Sequence, residues 1–535
     1  MKLITEASEA KLRGGFYTPN TIAEFMLKWG INGSNNFDIL EPSCGDGVFL
    51  SSIKKNNFKY NSVDAIEFNP IEAEKAKQVN LKRSKVINED FHVFCTNSKS
   101  RYDLIIGNPP YIRYQFFSPI QQILAEDIFI KAGLKYSKLT NAWVSFVVGS
   151  SMMLKERGKI AFVLPAEILQ VSYAKQLRQY LAKEYNKINI VSFEKLVFPN
   201  IQQEVVLLLC EKNGTKLHNI DHIELRDAEE LKSLDINRLK SPKKTIDFNS
   251  NKWTYYFLDQ PEIDLLENIA KKRKIKKIGD YAKVEVGITT GSNSFFTVPL
   301  ETVKEYNLSK YAKPMVGRSV QVNSVIFKDD DWRMNKNSKA RAHLLTFPNK
   351  PKDKQVNGAR NYIEFGEDLE IHKGYKNRIR ENWYVVPSLK ISDALFIRRN
   401  NIYPRLIINE ANAYTTDTMH RVFLFKTTNL NSFTSSYYNS LSLAFTEVCG
   451  RSHGGGVLEL MPNEAERVLL PYHEDNYQLL ESIDSMVRDK KNIEQILDIT
   501  DKIILGKNFN LTKNEISTAR NIWKRLSSRR LNRGK

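Results

Sequence analysis

The chain has 535 residues, of which 41% are hydrophobic and 26% charged, and its formal net charge is +19. This length exceeds what one hydrophobic core usually supports, so we expect about three structural units, and the composition excludes a disordered chain. The sequence contains no apolar run of about 18 residues and starts with a polar segment, which excludes a membrane span and a signal peptide and predicts a cytoplasmic protein.

The cysteines and the charge narrow the class of partner. Cys44, Cys95, Cys210 and Cys449 are widely spaced, with no Cys-x-x-Cys pair and no histidine doublet at zinc-ligand spacing. We therefore expect reduced thiols and no metal. The positive charge favours a polyanionic partner through counterion release, although a basic surface can also serve solubility.

Between residues 37 and 212, short apolar runs alternate with helix-like segments, of which 70–80 and 140–155 are examples. This alternation predicts βα units around a mostly parallel sheet. The predicted strands lie at residues 37–40, 62–68, 85–88, 104–107, 159–164, 188–193 and 205–210. Open sheets of this kind bind ligands outside the carboxyl ends of their strands, so strand-end residues are the candidates for a site.

A turn of small residues, Glu41-Pro42-Ser43-Cys44-Gly45-Asp46-Gly47, follows the first strand. Its two glycines allow the backbone to approach a ligand closely. The turn is not the dinucleotide fingerprint, because the third glycine is absent.

The next two strands end in acids. Glu67 ends the second strand about 20 residues beyond the glycine turn, where a carboxylate can accept hydrogen bonds from ribose hydroxyls. Asp90 and Phe91 follow the third strand and combine an acceptor for an adenine amino group with an aromatic surface. Each acid alone is more often a solvated residue, but suitable groups at successive strand ends favour a nucleoside cofactor.

The fourth strand ends in the most informative motif, Asn108-Pro109-Pro110-Tyr111. The asparagine oxygen and a proline carbonyl can accept the two N–H bonds of an exocyclic amino group, while a planar ring stacks on the tyrosine. Asn-Pro and Pro-Pro are also ordinary turn dipeptides. Their position at a strand end favours a substrate such as adenine.

Near residue 245 the apolar rhythm weakens, and beyond it short strands alternate with turns rich in Gly, Asn, Pro and Lys. We therefore expect a mixed α+β region over residues 246–475 and a basic helical segment over residues 476–535. The basic run at residues 271–277 is either a solvated face or a phosphate contact.

In the order of these motifs, the chain resembles the N6-adenine-specific DNA methyltransferases that use S-adenosylmethionine, in the TaqI-like and Eco57I-like gamma-type group of restriction-modification methylases. The resemblance starts at Gly14-Gly15-Phe16-Tyr17-Thr18-Pro19, continues through the strand-end motifs, and includes residues 158–165 and Phe198-Pro199. It implies a Rossmann-like class I S-adenosylmethionine-dependent methyltransferase domain over residues 1–245, with a mostly parallel seven-stranded sheet. A DNA target-recognition domain would follow over residues 246–475.

The resemblance also implies residue roles. Asn108, Pro109, Pro110 and Tyr111 would be catalytic, and Phe198 would pack against an extruded base opposite Tyr111, unless it is a core phenylalanine. The methionine part of the cofactor would contact Thr18, Glu41 and Ser43, the ribose Glu67, and the adenine Asp90 and Phe91. The implied cofactor-binding set is Tyr17, Thr18, Glu41, Ser43, Cys44, Gly45, Gly47, Glu67, Asp90 and Phe91.

The implied function is methyl transfer to N6 of a flipped adenine in double-stranded DNA, within a restriction-modification system. Two alternatives stay open: a methyltransferase acting on RNA or on a protein glutamine, since Asn-Pro-Pro-Tyr occurs there too, and a DNA-binding protein with a degenerate methylase domain. We expect a monomer. We expect either a cognate endonuclease that is encoded separately or none at all, because the methylase motifs begin near residue 14 and no nuclease motif is recognisable in the second half.

Within the second half, residues 286–296, 316–319 and 454–456 look like recurring features of Eco57I-like target-recognition regions. Arginine reads base edges or binds phosphates, so generic candidates for DNA contacts are Arg318, Arg398, Arg399 and Arg421.

Overall fold

The computed structural model describes residues 17–31, 36–137, 140–198, 203–235, 239, 244–248, 252–453 and 455–532. The chain divides into two compact units between Ile263 and Asp264. Residues around Tyr256 pack with the first unit, because the Lys244 ammonium donates to the Tyr256 carbonyl at 2.7 Å and the Tyr256 hydroxyl accepts from the Asp247 backbone N–H at 2.9 Å.

One mixed sheet organises the first unit. Its strands within the described residues are β1 (Asp38–Glu41), β2 (Ser62–Glu67), β3 (Ser84–Asn88), β4 (Tyr102–Gly107), β5 (Leu154–Pro165), β6 (Lys187–Phe193), β7 (Val205–Glu211), β8 (Asn219–Leu225) and β9 (Lys244–Thr245). Their order is β3-β2-β1-β4-β5-β7-β6-β8-β9. Strands β1 to β5 pair in parallel, and β7 runs antiparallel to both β5 and β6. The predicted class I methyltransferase fold is therefore confirmed, and β8 and β9 extend its edge beyond the predicted seven strands.

Helices connect most of these strands. They are α1 (Asn20–Gly30), α2 (Val48–Lys55), α3 (Pro70–Gln78), α4 (Phe91–Asn97), α5 (Pro119–Lys131), α6 (Ala142–Met152) and α7 (Lys175–Glu184). Side chains of α1 and α2 pack with the sheet in one hydrophobic core that includes Met26, Phe49 and Leu104. Helices α4, α5 and α6 pack on one another.

The strand order reverses between β1 and β4, since β1 pairs with β2 on one side and with β4 on the other. A crevice forms at the carboxyl ends of strands at such a point. The loops that follow Glu41 and Gly107 therefore meet there.

The second unit begins within α8 (Gln260–Lys272), at Asp264. Its other helices within the described residues are α9 (Asn293–Phe296), α10 (Leu300–Glu305), α11 (Asp329–Asn337), α12 (Asn357–Asp368), α13 (Tyr375–Arg378), α14 (Leu430–Tyr437), α15 (Ser440–Cys449), α16 (Pro462–Ala465), α17 (Leu480–Arg488), α18 (Ile493–Thr500) and α19 (Lys513–Leu531). The last three helices belong to the same compact unit as the strands before them.

The strands of the second unit form several small sheets. They are β10 (Lys276–Lys277), β11 (Ala282–Val286), β12 (Thr297–Val298), β13 (Ala312–Val316), β14 (His343–Leu345), β15 (Ala394–Ile397), β16 (Arg399–Asn400), β17 (Leu406–Ile408), β18 (Tyr414–Thr415), β19 (Met419–Leu424), β20 (Arg451–His453), β21 (Val457–Glu459) and β22 (Leu469–Leu470). The sheet orders are β11-β19-β15-β17, β12-β14-β13-β18, β16-β21-β20 and β10-β22. No helix in the described ranges combines the length and apolarity that a membrane crossing requires.

Candidate active site

The Asn108 side chain is held at the carboxyl end of β4 by neighbours from separate segments. Its Nδ2 donates to Thr18 Oγ1 at 3.2 Å, and its Oδ1 accepts from the Tyr111 hydroxyl at 2.8 Å. The Ser43 hydroxyl donates to the Asn108 carbonyl at 3.1 Å. These bonds fix the orientation of the Asn108 amide at the end of the strand.

Tyr111 turns its hydroxyl towards the protein, where it also lies 3.1 Å from the Val163 carbonyl. Burial raises the pKa of Tyr111 well above its ordinary value, so the hydroxyl remains a neutral donor. Its ring packs against the core that contains Phe198, which is only 5% exposed. The structure thus brings Tyr111 and Phe198 to one core, while Pro199, like Gly14, Gly15 and Phe16, lies outside the described residues.

Glu41 carries the most unusual carboxyl group of the site. It ends β1, is 2% exposed, and its Oε2 has no hydrogen-bond partner. Burial, followed by the negative charges of Glu67 and Asp46, raises its pKa well above the ordinary value. A buried carboxyl oxygen without a partner favours a ligand that brings a cationic N–H group.

Glu67 ends β2 and receives two backbone hydrogen bonds at 2.8 Å, from Gly45 to Oε2 and from Asn69 to Oε1. Burial raises the pKa of Glu67, and these two hydrogen bonds offset part of that effect. They also fix the carboxylate against the glycine turn.

The two glycines of the turn have different surroundings. Gly45 has φ +53°, and a Cβ added there would meet no atom within 4 Å. Gly47 has φ +87°, and its Cβ would lie 3.1 Å from the Ala76 Cα. The sequence predicted that both glycines let a ligand approach, but the close neighbour that requires glycine at position 47 is helix α3.

Asp90 caps the amino end of α4, and one oxygen of its carboxylate has two hydrogen-bond partners. Its Oδ1 accepts from the His92 backbone N–H at 2.7 Å and lies 2.9 Å from His92 Nδ1, while Oδ2 accepts from Gln121 Nε2 at 2.7 Å. Burial raises the pKa of Asp90, but the bonds from His92 and Gln121 outweigh burial and lower it to about 2. The adjacent Phe91 stacks on Phe146 with ring centroids 4.6 Å apart.

A cavity of about 470 Å³ joins these groups at the carboxyl edge of the sheet. The predicted residues that line it are Tyr17, Thr18, Glu41, Ser43, Cys44, Gly45, Glu67, Asp90, Phe91, Asn108 and Pro110. Gly47, Pro109, Tyr111 and Phe198 are not among its lining residues. Burial, followed by the charges of Glu41 and Glu67, raises the pKa of Cys44, so this thiol lines the wall as a neutral group.

The hydrogen-bond acceptors of the cavity fit S-adenosylmethionine. The unpartnered carboxyl oxygen of Glu41 suits the cationic amino group, and the carboxylates of Glu67 and Asp90 suit hydroxyl and amino hydrogens. The ring of Phe91 adds an apolar wall.

Several lining residues were missed by the sequence analysis, among them His92, Gln121, Phe117 and Phe146. The spacing Ser118-Pro119-Ile120-Gln121 is a capping-box signature and could have located the start of α5. It could not have shown that Gln121 meets Asp90, since that contact depends on how α4 and α5 pack.

In the second unit the predicted arginines differ in exposure. Arg421 is 6% exposed and donates to the Val286 and Ser388 carbonyls at 3.2 and 2.7 Å, so it supports the scaffold. Arg398 donates to the Asp417 carbonyl at 3.1 Å. Arg399 and Arg318 are exposed, although Arg399 Nε lies 2.9 Å from Glu459 Oε1.

Glycines of the predicted recognition features also have structural roles. A Cβ on Gly287 would lie 2.0 Å from the Thr416 carbonyl oxygen, and a Cβ on Gly291 would lie 2.0 Å from Asn377 Oδ1. Gly454 lies outside the described residues.

Two family profiles match the chain one after the other. The profile "Eco57I restriction-modification methylase" matches residues 24–198, and "Type II methyltransferase M.Eco57I, C-terminal domain" matches residues 250–505. The Type II methyltransferase M.AccI of Acinetobacter calcoaceticus is 26% identical over 519 residues, which cover 92% of this chain and 93% of that relative. M.HincII of Haemophilus influenzae is 31% identical over 228 residues, or 42% of each chain.

Among solved structures, DrdV in its complex with DNA has a TM-score of 0.48 and 12% identity, and the match covers 89% of this chain and 58% of DrdV. The matches to the two profiles and to M.AccI extend along most of the sequence. This chain belongs to the Eco57I-type restriction-modification methylases, and its cofactor is S-adenosylmethionine.

Proposed function

We propose that this methyltransferase acts on N6 of an adenine that it flips out of duplex DNA. The observation that carries the proposal is the Asn108 amide, which Thr18 and Tyr111 orient at the rim of a cavity lined by carboxylates. An oriented acceptor beside a cofactor cavity suits an amino group that must face a methyl donor.

Adenine N6 is a poor nucleophile because its lone pair is delocalised into the ring. Asn108 Oδ1 and the Pro109 carbonyl accept its two N–H bonds, draw the nitrogen towards tetrahedral geometry and localise the lone pair. The bound cofactor supplies an electrophilic methyl group. The contribution of the chain is therefore positioning and electrostatic stabilisation, and no covalent enzyme intermediate is needed.

Base flipping costs a few kcal/mol, because the target leaves its stack and its pair. Stacking on an aromatic side chain contributes roughly 1–3 kcal/mol per base. We assign this role to Tyr111, with Phe198 as its supporting neighbour in the same core.

The direct test treats DNA, RNA and protein with the full chain and labelled cofactor. Mass spectrometry of nucleosides from the two nucleic acids and of peptides from the protein then locates the label. We expect N6-methyladenine in duplex DNA only. Asn108→Ala should lower the rate by at least about a hundredfold, since it removes an acceptor used in the transition state. Its affinity for S-adenosylhomocysteine should change little.

Asn61→Ala is a matched control, because Asn61 lies before β2 at the opposite edge of the same sheet and bonds to Asp38. It should retain activity. Full activity of Asn108→Ala, or label in cytosine, RNA or glutamine, would overturn the assignment.

We further propose that the second unit selects the DNA site. Two observations support this: the match of residues 250–505 to the M.Eco57I C-terminal domain, and the exposure of Arg318 and Arg399 on a chain of net charge +19. Positively charged side chains contact phosphates and, when they reach a groove, base edges.

A further inference from the structure

A buried histidine lies against the carboxylate of Asp90. His92 is 2% exposed, and its Nε2 lies 2.8 Å from Ser145 Oγ. The Ser145 hydroxyl also lies 2.8 Å from the Ala142 carbonyl. A carboxylate only accepts, so Nδ1 donates to Asp90. His92 is therefore held between Asp90 and Ser145 and presents its Nδ1–H to the carboxylate.

Aromatic rings surround this imidazole. The rings of Phe146 and Phe117 have centroids 5.2 and 5.9 Å from the His92 ring, and the Phe146 ring is nearly perpendicular to it. This packing and the bonds to Asp90 and Ser145 fix the orientation of the imidazole.

Gln121 holds the other oxygen of Asp90 and cannot reverse its amide. Its Oε1 accepts from the Ser118 backbone N–H at 3.0 Å, while its own backbone N–H donates to Ser118 Oγ at 3.2 Å. This capping box leaves Nε2 to face Asp90 Oδ2 at 2.7 Å. A flipped amide would place two oxygens together and break the cap.

The hydrogen-bond count leaves Asp90 one place for a ligand. A carboxylate has about four lone-pair sites, and His92 takes two on Oδ1 while Gln121 takes one on Oδ2. The Asp90 side chain keeps 14% of its surface exposed, and the residue lines the cavity. The remaining site can accept a hydrogen and cannot donate one.

We propose that His92 and Gln121 are positioning residues that set the base specificity of the cofactor site, by holding Asp90 as an anion whose last acceptor site takes a 6-amino group and rejects a 6-oxo group. The inference rests on the proposed contact between Asp90 and the cofactor adenine. His92 and Gln121, which lie outside the recognised motifs, thereby select adenine over hypoxanthine.

The test is calorimetric titration of the full chain with S-adenosylhomocysteine and with its 6-oxo counterpart, S-inosylhomocysteine. We expect the native chain to prefer the adenine compound by roughly 10- to 100-fold, the usual worth of a hydrogen bond to a charged group. His92→Leu and Gln121→Leu should each reduce this preference by at least about fivefold. Since neither residue touches the transferred methyl group, each variant should raise the KM for the cofactor by a larger factor than it lowers kcat.

His222→Leu is the matched control. His222 belongs to β8 in the same sheet, and its Nε2 also pairs with a serine, Ser192 Oγ, at 2.8 Å. It does not line the cavity, so this variant should keep the full preference.

Asp90→Ala separates failure of the inference from failure of the contact on which it rests. If Asp90→Ala loses the preference but folded His92→Leu and Gln121→Leu keep it, the positioning role is wrong. If Asp90→Ala also keeps the preference, the adenine is recognised elsewhere and both assignments fail. Should His92→Leu not fold, Gln121→Leu decides alone, because Gln121 lies in the first turn of a helix at the protein surface.

Discussion

Glu41 combines nearly complete burial with a carboxyl oxygen that has no partner. Burial and the charges of Glu67 and Asp46 raise its pKa well above the ordinary value, so the free enzyme holds a proton there that the unfolded chain would have released. The contribution of the protonated Glu41 carboxyl to stability is fully present below the pKa that Glu41 has in the unfolded chain. It is lost as the pH rises through the raised pKa of Glu41 in the folded protein. A cationic ligand beside Glu41 favours the ionised carboxylate and therefore lowers the pKa of Glu41.

We therefore expect cofactor binding to release a proton and its affinity to rise with pH as the pH approaches the raised pKa of Glu41. Calorimetry in two buffers of different ionisation enthalpy counts the proton. Glu41→Gln should bind roughly 10- to 100-fold more weakly, since it loses a charge-assisted bond, and should release fewer protons. Glu74→Gln, an exposed position on α3, should match the native chain. Unchanged proton release in Glu41→Gln would contradict the prediction.

The glycine turn offers a second residue-scale prediction, because its two glycines meet different surroundings. Both have positive φ, so alanine at either position should cost about 1–2 kcal/mol. Gly47→Ala adds crowding against α3 and should lower the free energy of unfolding further, with little effect on cofactor affinity in the folded fraction. Gly45→Ala places its methyl group in open space at a lining position and should weaken cofactor binding more than stability. Denaturant unfolding and calorimetry on both variants measure the contrast; equal effects on affinity would refute it.

The residues of the site were predictable to different degrees. Glu41, Glu67, Asp90 and Asn108 could be found because each ends a strand or follows one within two residues, and parallel strands bring their carboxyl ends to one edge. His92 could not, since its role depends on Ser145, 53 residues away in another helix. Contacts between packed helices leave no local signal in the sequence.

Helix α5 shows how one element supports the site. It begins with a capping box in which Ser118 and Gln121 exchange hydrogen bonds, and Gln121 then reaches Asp90. Ser118→Ala should lower stability by about 1 kcal/mol and speed amide exchange in the first turn of the helix. Ser118→Asp keeps a cap and should stay close to the native values. Exchange mass spectrometry of residues 118–124 checks this, and equal protection in both variants would count against the role of the cap.

The strands show what an apolar pattern can and cannot reveal. The core strands were evident because they are buried along most of their length, as in β7. Strand β8 was missed because only Ile220 and Leu225 are buried in it and polar residues occupy most of the other positions. Strand β5 begins at Leu154, and the predicted start at residue 159 was therefore too late. The prediction missed the first residues because Lys155, Glu156 and Gly158 are typical of a turn.

At the scale of the whole molecule, the two compact units match successive profiles of one family. The residues that line the cavity all belong to the first unit. Chemistry and site selection are therefore expected to be separable along the chain, with the division near Ile263.

Exchange of the second unit tests this separation. We expect a chimera that carries residues 1–263 of this chain and the corresponding C-terminal part of M.AccI to methylate the site that M.AccI modifies. The reason is that the side chains that contact bases belong to the exchanged second unit. The methylated atom should stay the same, since the Asn108 motif is retained. Sequencing of modified bases reports both outcomes. The reciprocal chimera is the control, and calorimetry with S-adenosylhomocysteine shows that each first unit is folded. If folded chimeras keep the site of their N-terminal parent, recognition lies in the first unit and the proposed division of labour is wrong.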